Sequence, residues 1–451
     1  MRTRGANASL STTDQSGTKL GYAWYVTIVL LLAYTLSFVD RQILGLLVQP
    51  IKLDLGLSDT QFSILQGFAF AIFYTFVGLF LGRVADRWNR RNLIVVGMAI
   101  WILATAAGGY VISFWTLFAA RMLVGVGEAA LSPAAYSMLA DYFPPHRRAR
   151  AMSIYTSGVY IGSATAFIVG GLVIEATRQS TEVAIWLLGD FKPWQAAFIY
   201  VALPGLLAIA LILTVREPKR REIMAADAGK AEKVDLSFVF DNLRVYAPLF
   251  LACGVIAMIT YGITAWLPAT FIRQWGWTPG QVGLAYGVII LTCGIGGMVF
   301  SGFLADYYTS RGRAHAALSI SLLATAVLIP AGLLFAAAPS PTVALVAVAL
   351  TTFFLGMPVA LAPPILQSIT PNRLRGQVTS VYLLMISLIG LGMGPFLVAV
   401  FTDGIFRDES KVGLSLGLVS ALAALLGTLC LALAAKPFRR LLEAQTGQGT
   451  N

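Results

Sequence analysis

The sequence predicts an all-α membrane protein of twelve transmembrane helices, arranged as two six-helix bundles. Three observations predict it. With a mean hydropathy of +0.77, 57% hydrophobic residues and only 12% charged ones over 451 residues, the chain has too few charges to cover a water-facing surface, since soluble domains carry about a quarter. Apolar stretches long enough to cross hydrocarbon, about twenty residues each, recur twelve times along the chain. A polar loop motif in the first half also returns in degenerate form in the second.

The first twenty residues are polar and rich in Ser and Thr. They lack an apolar core and a small-residue cleavage site, so they read as a disordered cytoplasmic tail and not as a signal peptide. Six helices follow at 23–48, 61–84, 93–112, 114–143, 151–174 and 194–215. The first runs to about Pro50, and the fifth carries Gly158 and Gly162, a small-xxx-small pair suited to close helix packing. The stretch 216–244 is the one long polar interruption, and its end from Asp235 to Arg244 reads as a short interfacial helix. Six more helices follow at 246–272, 281–305, 315–337, 342–369, 377–401 and 412–435. Pro268 falls in the seventh, Pro358, Pro363 and Pro364 in the tenth, and the Gly390–Pro395 run in the eleventh, all places where a helix can bend. The expected organisation is a tail (1–20), a first bundle (21–215), a central loop (216–244), a second bundle (245–436) and a tail (437–451).

An even number of spans puts both termini on one face, and the cations say which. Of 32 Lys and Arg, 24 lie in the tails, the central loop and the loops on the termini's side. The opposite side holds Lys52, Arg178, Lys192, Arg273, Arg407 and Lys411. By the positive-inside rule both termini are cytoplasmic, in a plasma or inner membrane. The net charge of +11 is thereby explained by topology, without a nucleic-acid partner. Cys253, Cys293 and Cys430 all lie in apolar stretches, and His146 and His315 sit beside Arg clusters, so no disulfide framework, metal site or catalytic triad is expected. No GxxxxGK[ST] loop marks a primary pump. Neither a cofactor nor an enzyme activity is expected.

The loop after the second helix reads Gly82-Arg83-Val84-Ala85-Asp86-Arg87-Trp88-Asn89-Arg90-Arg91, and 220 residues later comes Gly302-Phe303-Leu304-Ala305-Asp306-Tyr307-Tyr308-Thr309-Ser310-Arg311. Pro145-His146-Arg147 is echoed by Pro371-Asn372-Arg373. Two copies of a six-helix unit around a central loop are the organisation of a parallel-repeat transporter. Gly82 would let two helices approach. Asp86 complements the partial positive charge of a helix N-terminus, and Arg90 or Arg91 can bridge it to Asp141 in a cluster that closes the cytoplasmic side in one state and breaks in the other.

GRVADRWNRR resembles the signature between helices 2 and 3 of the major facilitator superfamily. Asn89 stands where many members have Gly. That departure, together with RMLVGVGEAALSP (Arg121 to Pro133) and FVDRQ (Phe38 to Gln42), resembles the spinster branch, the lysolipid and sphingosine-1-phosphate transporter-like proteins. The resemblance implies the superfamily fold, with helices 1 and 4 lining a central cavity, and an amphipathic, lipid-like substrate. It also implies a gating loop that includes Arg87, whose counterpart in the second copy is Tyr307.

Four ionisable residues lie deep in apolar spans: Asp40, Arg41, Arg121 and Glu128. Each costs at least about 2.5–3.5 kcal/mol at the bilayer centre, so each should face protein or a water-filled cavity. Arg121 and Glu128 are two turns apart on one face of helix 4. A rise of about 1.5 Å per residue puts Asp40 between them in depth. The economical arrangement sets Asp40 near Arg121, with Arg41 or a water serving Glu128. The arginines suit an anionic head group, and Asp40 or Glu128 can carry a proton. The second half has no intramembrane charge, offering Tyr261, Trp266, Tyr286, Thr292 and Met357 instead. The function expected is secondary active transport by alternating access of a lysolipid- or sphingoid-type amphiphile, driven by protons. The alternative is proton-coupled transport of small organic anions or drugs.

Overall fold

The computed structural model describes residues 20–85, 87–177, 180–185, 188–218, 220 and 237–447. The N-terminal tail up to Lys19, Asp86, and Arg221 to Leu236 of the central loop lie outside them. Among the described residues, twelve helices are long and apolar enough to cross a membrane. They are α1 (Leu20–Leu46), α2 (Asp59–Ala85), α3 (Arg90–Tyr110), α4 (Phe114–Tyr142), α5 (His146–Thr177), α6 (Pro193–Leu213), α7 (Leu243–Trp275), α8 (Pro279–Ser310), α9 (Ala316–Ala336), α10 (Pro341–Ser368), α11 (Arg375–Phe406) and α12 (Glu409–Ala444).

Local sequence sets where they begin. Ser58 and Thr278 open α2 and α8 with capping boxes to Gln61 and Gln281, and Ser113 and Ser340 accept from the first-turn backbone of α4 and α10. Each satisfies an N–H that the helix itself leaves unpaired. Asn89 does the same for α3, accepting from the Asn92 N–H at 2.9 Å. This gives the residue a structural reason to stand in the loop motif, since a glycine there would supply no acceptor.

The first helix stops earlier than its hydropathy suggests. At Leu47 the backbone leaves the helix, and a short helix, Val48–Leu55, takes over. Pro50 sits in its first turn, where a missing N–H costs nothing. The α5–α6 connection holds an antiparallel hairpin, β1 (Val183–Ile185) with β2 (Gly189–Phe191), that nothing in the sequence pattern announced. Its Phe191 packs on Ala196 and Ile199 at the head of α6. Three segments widen to π turns, Ile290–Gly294 in α8 and Ile386–Met393 and Phe401–Phe406 in α11. The second covers most of the glycine run expected to bend. The other two carry no such sequence mark. The prolines of α7 and α10 lie inside helices that continue past them.

Within the first bundle α1 packs on α5, and within the second α7 packs on α12. Gly162 permits the former, because a Cβ there would lie 2.4 Å from the Thr35 carbonyl oxygen. Between bundles, α5 meets α8 and α2 meets α11. The α5–α8 contact is the tighter in backbone terms: a Cβ on Gly283 would stand 2.0 Å from the Phe167 carbonyl oxygen. Any side chain at Gly283 must push the bundles apart. Gly283→Val should therefore lengthen the distance between spin labels placed at exposed Leu53 and Ile405, measured by pulsed electron paramagnetic resonance. An unchanged distance would show that this contact does not set the closure.

Candidate functional site

The four deep charges come together as two ion pairs. Arg41 reaches Glu128 Oε2 with both Nε and Nη2 at 2.6 Å. Arg121 Nη1 lies 3.3 Å from Asp40 Oδ1, and the Thr105 hydroxyl of α3 donates to Asp40 Oδ2. Consecutive residues on a helix diverge by about 100°, which is why Asp40 and Arg41 serve different partners two turns apart on α4. Asp40 and Glu128 are each only 1% exposed, so the cost of burial is met by neighbours and not by solvent.

The two arginines are held differently. The Arg41 guanidinium carbon lies 4.5 to 4.8 Å from the ring centres of Phe38, Phe70 and Tyr74, an aromatic enclosure suited to a planar cation. Arg121 Nε, Glu128 Oε1 and Gln66 Oε1 are buried without a hydrogen-bond partner. Arg121 and Gln66 border a space of about 20 Å³ shared with Arg41, Gln42 and Tyr261. These atoms can still donate to or accept from a polar group entering from the cavity.

That cavity, about 190 Å³, lies between the bundles. The first bundle contributes Phe38, Gln42, Tyr160 and Ser163, and the second Ile256, Tyr261, Tyr286, Leu355 and Tyr382. Of the second-half residues singled out by sequence, Tyr261 and Tyr286 line it. Trp266 is buried elsewhere, donating to the Pro395 carbonyl at 2.9 Å. Thr292 donates to the Val288 carbonyl in its own helix, and Met357 borders a different cavity. A helix presents only one face to a cavity, and residue type alone does not say which.

At the end bearing the termini, Arg90 contacts Asp141 at 2.5 Å, Glu217 at 2.7 Å and Ser137 at 2.8 Å. The Arg91 backbone N–H also donates to Glu217, while its side chain turns to Asn92 and the Val215 carbonyl. Arg90, then, and not Arg91, reaches Asp141. Glu217, just past α6, is a partner that no sequence pattern pointed to. Because α3, α4 and α6 belong to one bundle, sliding one bundle on the other leaves this cluster intact. Gly82 makes no close helix approach, for a Cβ there would meet nothing within 4 Å. Arg87 is exposed, and Asp86 is outside the described residues.

The end opposite the termini, the outer end, is where charges join the two bundles. Arg273 of α7 donates to both oxygens of Asp59 at 2.7 and 2.8 Å and to Gln49 at 3.1 Å. Lys52 pairs with Asp59 and, at 3.0 Å, with Glu409. Thr60 donates through its backbone N–H and its hydroxyl to Asp403 at 2.7 and 2.8 Å. Asp59 has no exposed surface and Lys52 only 4%. Sequence reasoning counted Lys52 and Arg273 as scattered outer cations. The acids Asp59, Asp403 and Glu409, at span ends in both halves, were the available signal.

Comparison with known proteins fits this geometry. Residues 30–395 match the model of the family described as Major Facilitator Superfamily. An MFS-type efflux pump of Mycolicibacterium smegmatis is 30% identical over 93% of this chain and 94% of its own. A hexuronate transporter of Bacillus subtilis is 27% identical over 88% and 93%. Protein spinster homolog 3 of Danio rerio is 25% identical over 82% and 75%. Among solved structures, a bacterial homologue of the human lysosomal transporter spinster, in an inward-facing and occupied conformation, shares 26% identity. It superposes with a TM-score of 0.72 over 94% of this chain and 97% of that one.

Two outcomes follow. Arg41→Gln alone leaves Glu128 buried without its cation and should cost about 3–5 kcal/mol, whereas Arg41→Gln with Glu128→Gln should cost clearly less. Thermal unfolding in detergent compares them, and equal losses would mean the pair is not coupled. Arg273→Ala should separate the spin labels at Leu53 and Ile405, because Asp59 loses its bidentate partner across the bundles. If the distance distribution stays the same, the outer charges do not latch the bundles.

Proposed function

We propose that this chain, which belongs to the Major Facilitator Superfamily, moves an amphipathic, lipid-like molecule with an anionic head across the membrane by alternating access. It is a multi-pass transporter and not an enzyme. The observation that carries the reading is the division of labour between two neighbouring spaces: a small polar one at Arg41, Arg121 and Gln66, and the larger cavity with its apolar wall from α7, α8 and α10, the two sharing Gln42, Tyr261 and Thr264. An amphiphile matches both sides at once. The anionic group of its head would accept from the open Arg121 Nε, a hydroxyl of the head would donate to Gln66 Oε1, and its tail would lie along Ile256, Leu355 and neighbouring rings. The sequence resemblance to the spinster branch implies the same substrate class, and the spinster proteins among the relatives accord with that branch.

Asp40 and Glu128 are the proposed proton carriers. A proton on Glu128 would release Arg41 from its ion pair, and an anionic head on Arg121 would free Asp40 to take one. The gate at the termini's end is assigned to Gly82, Asp86 and Arg87. The Arg90–Asp141 cluster holds the helix ends of the first bundle together, and the Lys52–Asp59–Arg273 group closes the outer end. Both termini are assigned to the cytoplasm.

A second reading, proton-coupled movement of a small organic anion, rests on the narrow polar space at Arg121 and Gln66 and on the relatedness to a hexuronate transporter and an efflux pump. Purified protein in liposomes separates the two. Labelled lysophospholipids and sphingoid phosphates should move faster than short organic anions, and an imposed pH gradient should accelerate them. Arg121→Ala should weaken binding at least about tenfold, the loss of a hydrogen bond to a charged group. Arg121→Lys should keep part of it. Asp40→Asn or Glu128→Gln, whichever acid carries the proton, should bind substrate yet ignore the gradient. Faster flux of the short anions would favour the second reading, and wild-type flux that ignores the gradient would remove the protons from both.

A further inference from the structure

The transport reading leaves the degenerate motif copy, Gly302 to Arg311, without a role. Beside it, α8, α9 and α10 surround a second cavity of about 370 Å³. Its walls are apolar: Phe300 and Leu304 from α8, Leu323 and Val327 from α9, and Phe354 from α10. Its polar rim is Tyr308, Arg313, His315 and Ser319, and among the described residues no acid lines it. None of these residues borders the central cavity. Phe300 is 49% exposed and Leu323 71% exposed, so the opening faces outward from the bundle, toward lipid.

The tyrosines that distinguish this copy from the first act on its cations. The Arg311 guanidinium carbon lies 4.2 Å from the Tyr307 ring centre, and that of Arg313 5.2 Å from Tyr308. Stacking on a ring restrains a long side chain that would otherwise sweep through solvent. Arg313 is thus held at the mouth of an apolar slot, at the depth where the chain leaves the membrane.

We propose that this cavity is a binding site for an anionic phospholipid of the adjoining leaflet. The phosphate sits between Arg313 and His315, the hydroxyl of Tyr308 donates to its oxygens, and an acyl chain runs along Phe300, Leu323 and Val327. A guanidinium matches a phosphate with two parallel donors. A zwitterionic lipid fits less well, because its ammonium would meet the Arg313 guanidinium and, among the described lining residues, no carboxylate to receive it. Clusters of cations at the membrane face attract anionic head groups in this manner.

Native mass spectrometry of the full chain in detergent tests the site, with phosphatidylglycerol and phosphatidylcholine titrated in parallel. Wild type should retain phosphatidylglycerol in preference. Arg313→Ala with His315→Ala should cut that retention at least about fivefold, the effect of one surface cation. Leu323→Trp, which narrows the slot without altering charge, should cut it too. Arg373→Ala with Arg375→Ala, on the same face, should not. These residues are at the surface, and matching thermal midpoints verify that the variants fold. Equal retention of the two lipids, an equal loss in the control variant, or no loss in either site variant would overturn the proposal. Displacement of the lipid by inorganic phosphate at similar concentration would also overturn it, since the site would then hold a free anion.

Discussion

Hydrocarbon solvates no ion, so a charge that the chain carries into it must find its counter-charge on a neighbouring helix. Asp40 and Arg41 are adjacent on α1 and cannot satisfy each other. Each instead reaches α4, Asp40 to Arg121 and Arg41 to Glu128. That double pairing fixes the rotation of α1 against α4 and commits the third helix as well, through Thr105. The aromatic enclosure of Arg41 and the placement of the cavity wall at Phe38 and Gln42 follow from the same rotation.

The pairing is incomplete by design of the cavity's position. Arg121 and Glu128 each keep one buried polar atom open, and Arg121 borders the small space that it shares with Gln66 and with Tyr261 of the second bundle. A cluster that was fully satisfied would only brace the fold. One with a donor and an acceptor to spare has capacity for a ligand, and the ligand's binding must compete with the internal pairs.

The two ends of the molecule solve different problems. At the termini's end, Arg90, Asp141 and Glu217 tie helices of a single bundle, which lets the bundle move as a body. At the outer end, Arg273, Lys52, Asp59 and Glu409 tie bundle to bundle, aided by the bare backbone contact at Gly283. A buried bidentate ion pair is a discrete contact, made or broken, and so suits a latch between two states. The repeated loop takes different roles in the two bundles, both at the termini's end. In the first copy Asn89 and Arg90 anchor α3. In the second, Tyr307 and Tyr308 stack under arginines at the bundle's lipid-facing side.

Much of this was legible in the sequence. Hydropathy located all twelve spans, because crossing hydrocarbon imposes a length on each helix independently of its neighbours, but it ended the last at 435 where α12 runs on to Ala444, through residues expected in a tail. The four deep charges stood out for the same reason, and helical geometry was enough to suggest Asp40 with Arg121. The early end of α1, the hairpin at Val183–Phe191 and the π turns were not legible, since they arise from packing rather than composition. The sequence by itself determined which segments cross the membrane and which charges need partners. Only the tertiary structure decided that Arg90 and not Arg91 meets Asp141, that Glu217 joins them, that Lys52 and Arg273 converge on Asp59, and that Trp266 turns away from the cavity. Those outcomes depend on contacts between residues far apart in the chain, and the periodicity of a single helix carries no information about which face its distant neighbour will cover.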